Sequence, residues 1–186
     1  MEHKPWETLS TEVINENPWT KFIHDEYILP NGKKGDYYYM ETPVGSIMIV
    51  PVLPNGKIVL VKQFRYLFQK ESIEFPAGHG EMGRLVLEVA KAELEEEAGY
   101  KAKNWKELPS VAPSIGLLKD TFTSFVATGL TAGEMNPEES EEFEQIQMTV
   151  KEVDAAIASG NIWNGLSVTA WCLARPHIVE YIESHK

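Results

Sequence analysis

The most apolar stretch of the chain, VGSIMIVPVLPNGKIVLVKQFR from Val44 to Arg65, carries Asn55-Gly56 near its middle. Asn-Gly tolerates positive φ at the tip of a tight turn, so the spacing predicts a core hairpin of two strands, Ser46 to Leu53 and Lys57 to Phe64. A second such pair, Asn31-Gly32, separates Lys21 to Leu29 from Asp36 to Glu41 and predicts another hairpin, in a small sheet formed by the first 40 or so residues. Ile73 to Phe75 reads as a short strand. Phe122 to Ala127 reads as a buried one, and Ile146 to Val150 as a third.

The pattern then changes period. Leu85 to Ala98 contains neither glycine nor proline, and Gly99 follows at a position suited to left-handed geometry, which together predict a helix. Val153 to Ser159 is a shorter helix closed by Gly160. Ser167 to Arg175 and Ile178 to Ser184 are two further helical pieces, expected to be interrupted at Pro176. The segment GLTAGEMNPEESEEFE, from Gly129 to Glu144, is too polar and too rich in turn formers for a core and is expected to be an exposed loop. Mixed strands with helices packed on them give an α+β class, divided into a small N-terminal antiparallel sheet at 1–43 and a larger domain at 44–186.

Composition narrows the partners. A chain of 186 residues with 43% hydrophobic and 24% charged residues is expected to have a packed core. Its formal net charge of −11 repels phosphate backbones and anionic lipid, which disfavours nucleic acid and membrane as partners. No apolar run approaches the roughly 20 residues of a spanning helix, and the start, MEHKPWETLS, lacks a signal-peptide layout, so a cytoplasmic protein is expected. The single cysteine, Cys172, excludes an intrachain disulfide, and the five histidines show no zinc-type spacing. Any bound metal should therefore have carboxylate ligands.

The candidate chemistry lies between Pro76 and Tyr100. PAGHGEMGR contains G-x-G-x-x-G at Gly78, Gly80 and Gly83, but the acid and the second parallel strand that a dinucleotide site needs are missing. Arg84 and Leu85 stand where a P-loop needs Lys and a hydroxyl. Glycines that merely turn a strand into a helix account for the loop equally well when it is taken alone. Directly downstream, Glu93, Glu96 and Glu97 fall at i, i+3 and i+4, on one helix face beside the apolar stripe Leu87, Ala90, Leu94 and Ala98. An isolated acidic run is more often a solvated face. Next to a glycine loop the weighting reverses, because three like charges at a buried border need a cation, and hard oxygen ligands suit magnesium or manganese.

From Gly78 to Tyr100 the residues resemble the Nudix box, G-x5-E-x7-R-E-U-x-E-E-x-G-U with U a bulky aliphatic residue. Gly78, Glu93, Leu94, Glu96, Glu97 and Gly99 stand in register, preceded by EFPAG. The resemblance implies a Nudix α/β/α sandwich with a mixed sheet. Gln63-Phe64-Arg65, Pro113 in APSIG, the late glutamate loop and SGNIWN at Ser159 to Asn164 are most similar to the ADP-ribose and nucleoside diphosphate sugar pyrophosphatase branch. Two box positions depart: Arg84 replaces Glu and Ala92 replaces Arg.

What that resemblance implies is a hydrolase splitting ADP-ribose or a nucleotide sugar with magnesium or manganese. Glu93, Glu97 and the backbone carbonyl of Ala77 would be metal ligands, with Glu96 binding directly or orienting water. Glu139 would be the general base and Glu141 an additional metal or water ligand. Arg65 would grip a phosphate and Glu74 would contact a sugar. Trp19, Tyr27 and Tyr37-Tyr38-Tyr39 would stack a base across a homodimer interface, where the N-terminal sheet exchanges between subunits. The departures at Arg84 and Ala92 motivate the alternative of a catalytically weakened nucleotide-binding or sensor module.

Overall fold

The computed structural model describes residues 4–136 and 143–185. In chain order its strands and helices are β1 (Glu7–Glu16), β2 (Lys21–Ile28), β3 (Lys34–Glu41), β4 (Ser46–Pro51), β5 (Ile58–Arg65), β6 (Lys70–Glu74), β7 (Ala77–His79), α1 (Val86–Ala98), β8 (Tyr100–Glu107), β9 (Leu118–Lys119), β10 (Phe122–Ala132), β11 (Glu144–Met148), α2 (Val150–Ala158) and α3 (Gly165–Ser184). Two compact units result, Met1–Gly45 with Ala112–Thr121, and Ser46–Val111 with Phe122–Lys186. Segment 112–121 thus packs with the N-terminal sheet, through β9, although it lies well beyond residue 43 in the chain.

The first unit is the sheet β1-β2-β3-β9, antiparallel except where β9 joins β3 in parallel. The Asn31-Gly32 turn joins β2 to β3 as its dipeptide requires, with Gly32 at φ 84. β1, which pairs with β2, is exposed along its whole length.

In the second unit the sheets β7-β4-β10-β8 and β11-β5-β6 carry the core. β4 and β10 run parallel, while β7 and β8 pair antiparallel at the edges. Successive side chains of the central strands feed two different cores, as the period of two demands. Ile47, Ile49, Val59, Val61, Phe125 and Ala127 pack with Val89, Ala90, Leu94 and Ala98 of α1. Met48, Val50, Ile58, Leu60, Phe122 and Val126 pack with Val153 of α2 and with Ala170, Trp171, Ala174 and Ile178 of α3. Strands buried on both faces read as continuous apolar runs, which is why the Val44 to Arg65 stretch is so apolar. Helices on opposite faces of the strands make the α/β/α arrangement, and the class is α+β.

Three expectations are corrected. Pro176 does not interrupt the last helix: α3 continues through it. The ring sits on the exposed side, while Ala170, Trp171, Ala174 and Ile178 are buried on the other, and that burial outweighs the roughly 3 kcal/mol that an interior proline costs locally. Residues 129–132 belong to β10 rather than to a loop, because Leu130, Thr131 and Ala132 pair with Ala102, Lys101 and Tyr100 of the polar edge strand β8. The second-last helix begins earlier than its apolar residues suggest. Thr149 and Glu152 form a capping box in which Thr149 Oγ1 accepts from the Glu152 N–H and the Glu152 carboxylate accepts from the Thr149 N–H. Thr149→Ala should lower the unfolding free energy by about 1 kcal/mol, measured as a shift in the urea midpoint at unchanged slope. Among the described residues no helix is long and apolar enough to cross a membrane.

Candidate active site

β7 is only three residues long, and it pairs with β4 through Met48↔Ala77, Ile47↔Gly78 and Ser46↔His79. α1 starts a short loop later and lays its carboxylate face over this strand. Glu97 is 5% exposed, and its Oε2 accepts a hydrogen bond of 2.9 Å from the Ala77 N–H. Glu93, one turn earlier, packs on the α-carbon of Gly78, where a Cβ would come within 2.6 Å of Glu93 Cγ and closer still to its Cδ and Oε1. Gly78 is therefore required by close approach and not by its backbone angle. The structure thus brings together Glu93, Glu97, Ala77 and Gly78. Glu96 lies on the same helix but is exposed.

The opposite wall comes from β5, β6 and the start of α3. Arg65, at the end of β5, donates from Nε to Glu74 Oε1 at 2.7 Å and from Nη2 to Glu74 Oε2 at 2.5 Å. Glu74 is 1% exposed, so both carboxylate oxygens are committed inside the protein, and the Asn164 amide adds a third bond to Oε2. Sequence reasoning marks Glu74 as a sugar contact; in the structure its carboxylate is bound by Arg65 and Asn164, and it lines the same cleft. Asn164 enters that reasoning only as part of a tail pattern, although an Asn before an apolar helical run is a recognisable N-cap signal. Ser46, Met48, Gln63, Arg65, Glu74 and Glu97 are among the residues that line a cleft of about 280 Å³.

Arg84 spans the glycine loop and the helix start. It pairs with Glu81 at 2.6 Å and donates to the Glu88 carbonyl at 3.3 Å. Ala92, the other departure from the box, is half-buried on α1.

Glu139 and Glu141 lie outside the described residues. The chain on either side of them is tied to the C-terminal turn of α1: the Gly133 N–H donates to the Gly99 carbonyl at 2.7 Å, the Asn136 N–H to the Glu96 carbonyl at 3.0 Å, and the Gln145 side chain to the Ala98 carbonyl at 2.7 Å. These bonds satisfy carbonyls that a helix end leaves without partners. Trp19 belongs to the first unit, 73% exposed at the β1–β2 turn.

Among the described residues, no group of three His, Cys, Asp or Glu side chains could hold a metal ion. The carboxylates that the helix does bring against β7, Glu93 and Glu97, are hard oxygen donors. Their chemistry fits a hard divalent cation, with further oxygens needed to complete its shell.

Comparison with known proteins places the chain in a family. Residues 42–169 match the NUDIX domain, and residues 6–40 match the nucleoside diphosphate sugar hydrolase N-terminal domain. The chain is similar to the methanol dehydrogenase activator of Bacillus methanolicus, 32% identical over 165 residues that cover 88% of this chain and 89% of the relative. It is also similar to the ADP-ribose pyrophosphatase of Bacillus subtilis strain 168, 28% identical and covering 96% of each. In fold it matches a crystal structure of an ADP compounds hydrolase, with TM-score 0.87, 19% identity, and 97% and 98% of the two chains covered.

Proposed function

This chain belongs to the Nudix family and is a Nudix hydrolase, and on that premise we propose that it hydrolyses the diphosphate bond of ADP-ribose or a nucleoside diphosphate sugar, releasing a nucleoside monophosphate and a sugar phosphate. The observation that carries this reading is the placement of Glu93 and Glu97 against β7, with Glu97 and Arg65 lining one cleft. The match of residues 6–40 to a nucleoside diphosphate sugar hydrolase domain favours a nucleotide sugar over a nucleoside triphosphate.

Nudix hydrolases generally use divalent metal ions, and magnesium, with manganese as a substitute, is the ion proposed here. Glu93, Glu97 and the Ala77 carbonyl would hold it, with Glu141 from the loop and Glu96 directly or through water. Bound there, such an ion supplies positive charge for the diphosphate oxygens and lowers the pKa of a water molecule. Arg65 binds and orients a phosphate, its guanidinium plane set by Glu74. Glu139 takes the proton from the attacking water; its loop is fastened at both ends to the turn of α1 that carries Glu96 and Glu97, which favours this role. Across the interface of a cytoplasmic homodimer, in which the exposed β1 edge with Leu9, Val13 and Ile14 would pair with a second copy, Trp19, Tyr27 and the tyrosines of β3 would stack the base.

A panel of ADP-ribose, ADP-sugars, other nucleoside diphosphate sugars and nucleoside triphosphates, incubated with magnesium and read out as phosphate monoesters, tests the reading. EDTA-sensitive turnover of ADP-ribose or a nucleotide sugar is expected. Turnover of triphosphates alone, or of nothing in the panel, would overturn it.

A further inference from the structure

The asparagine at the start of α3 serves two partners at once, and its two atoms cannot be exchanged. Asn164 Oδ1 accepts from the Leu166 N–H at 2.9 Å and the Ser167 N–H at 3.2 Å, which makes it the N-cap of the helix. Both those partners are donors, so the oxygen must face them and the amide nitrogen must face the other way. There it meets Glu74 Oε2 at 2.5 Å, an acceptor. The same oxygen of Glu74 takes Arg65 Nη2, and its neighbour Oε1 takes Arg65 Nε. One helix cap, one buried carboxylate and one cleft arginine thus form a single chain of charge-assisted bonds. Ser167, the second residue capped, extends it by accepting from the Phe75 N–H at 3.2 Å, next to Glu74 itself.

We propose that Asn164 is a positioning residue for the cleft: its amide holds the Glu74 carboxylate in the orientation that aims the Arg65 guanidinium at the substrate's phosphate. The phosphate's role rests on the proposed hydrolase reading; the clamp itself does not. A buried carboxylate bordering a site for an anionic substrate would repel that substrate if it turned outward. Two donors from different elements, β5 and the start of α3, hold it turned inward. Aspartate would cap the helix equally well but would face Glu74 with a second acceptor, and serine would cap it without reaching Glu74. The need to donate on one side and accept on the other selects asparagine.

Those two substitutions separate capping from clamping. In N164S the melting temperature should stay within a few degrees of wild type, since serine is a good N-cap, whereas N164D caps the helix equally well but sets a second carboxylate against the buried Glu74 and should melt lower. The Arg65 Nε–H resonance, identified by its loss in R65K, should move in both variants relative to wild type in nitrogen-15 spectra. KM for the best substrate in the panel should rise about tenfold in N164S and more in N164D, with a smaller change in kcat, as expected when a hydrogen bond to a charged group is lost. An Arg65 resonance unmoved in both variants, or a KM within twofold of wild type in both, overturns the proposal. If wild-type protein turns over nothing in the panel, the hydrolase reading fails on its own, and the Arg65 resonance alone then decides whether the clamp exists.

Discussion

Glu97→Gln should lower kcat about a thousandfold while leaving the fold intact. Glu97 is buried at the end of the carboxylate face, and the Ala77 N–H fixes one of its oxygens. Glutamine has the same shape, and its carbonyl can take over the bond to Ala77. The amide nitrogen must then occupy the other oxygen's place, presenting a donor and no negative charge where a cation ligand is proposed. Three orders of magnitude in rate correspond to about 4 kcal/mol of transition-state stabilisation, the scale on which ion-assisted hydrolysis operates. Stability should be unchanged or higher, because an ionised side chain kept out of water is costly. The measurement pairs steady-state kinetics on ADP-ribose with a thermal melt in EDTA. A kcat within tenfold of wild type would remove Glu97 from the proposed ligand set, and a collapsed melt would make it a structural residue instead.

Gly78→Ala is the second large effect, and its signature is the opposite one. A Cβ at this position would sit 2.6 Å from Glu93 Cγ and overlap its Cδ and Oε1, closer than non-bonded atoms approach. Glu93 is part of a helix whose other side is packed by Val89, Ala90 and Leu94, so the carboxylate has to swing away or the helix has to lift. Activity should fall about a hundredfold as the carboxylate leaves its place, with a loss of about 1–3 kcal/mol in stability from overpacking. Gly83 is the control: it lies in the loop that follows β7, with nothing within 4 Å of where a Cβ would stand, and its cost comes only from a φ of +83. Chemical denaturation and kcat/KM measured together on both alanine variants distinguish them. A Gly78→Ala protein as stable and as active as wild type would show that Glu93 need not rest on the strand.

Much of this site was legible because its signals are local. Glu93 and Glu97 are one helical turn apart, so their shared face follows from the period of the α-helix whatever surrounds it. Gly99 ends α1 in left-handed geometry, at φ 68, because glycine has no Cβ to clash there. The pairing of Glu74 with Arg65 was not legible in the same way. They lie nine residues apart on antiparallel strands, and only the register Val61↔Glu74 with Arg65↔Lys70 shows that the arginine at one end can reach back to the carboxylate at the other. A sequence shows Glu74 as a polar residue before a glycine loop, which is where a ligand contact would also be.

Pro176 and residues 129–132 show the same division from the side of the fold. Proline and glycine carry strong local preferences, and those preferences argued for a break and a loop. Both were overridden by partners far along the chain: the core beneath Ala174 and Ile178 in one case, and the edge strand β8 in the other. By itself, then, the sequence determined the two hairpins, the carboxylate helix and the family, since each depends on residues within one turn or one motif. Tertiary structure alone decided that Glu74 faces inward, that Asn164 joins a helix cap to the cleft, and that segment 112–121 packs with the N-terminal sheet. Those outcomes depend on strand register and on which distant groups meet when polar atoms are buried, and no local spacing encodes either.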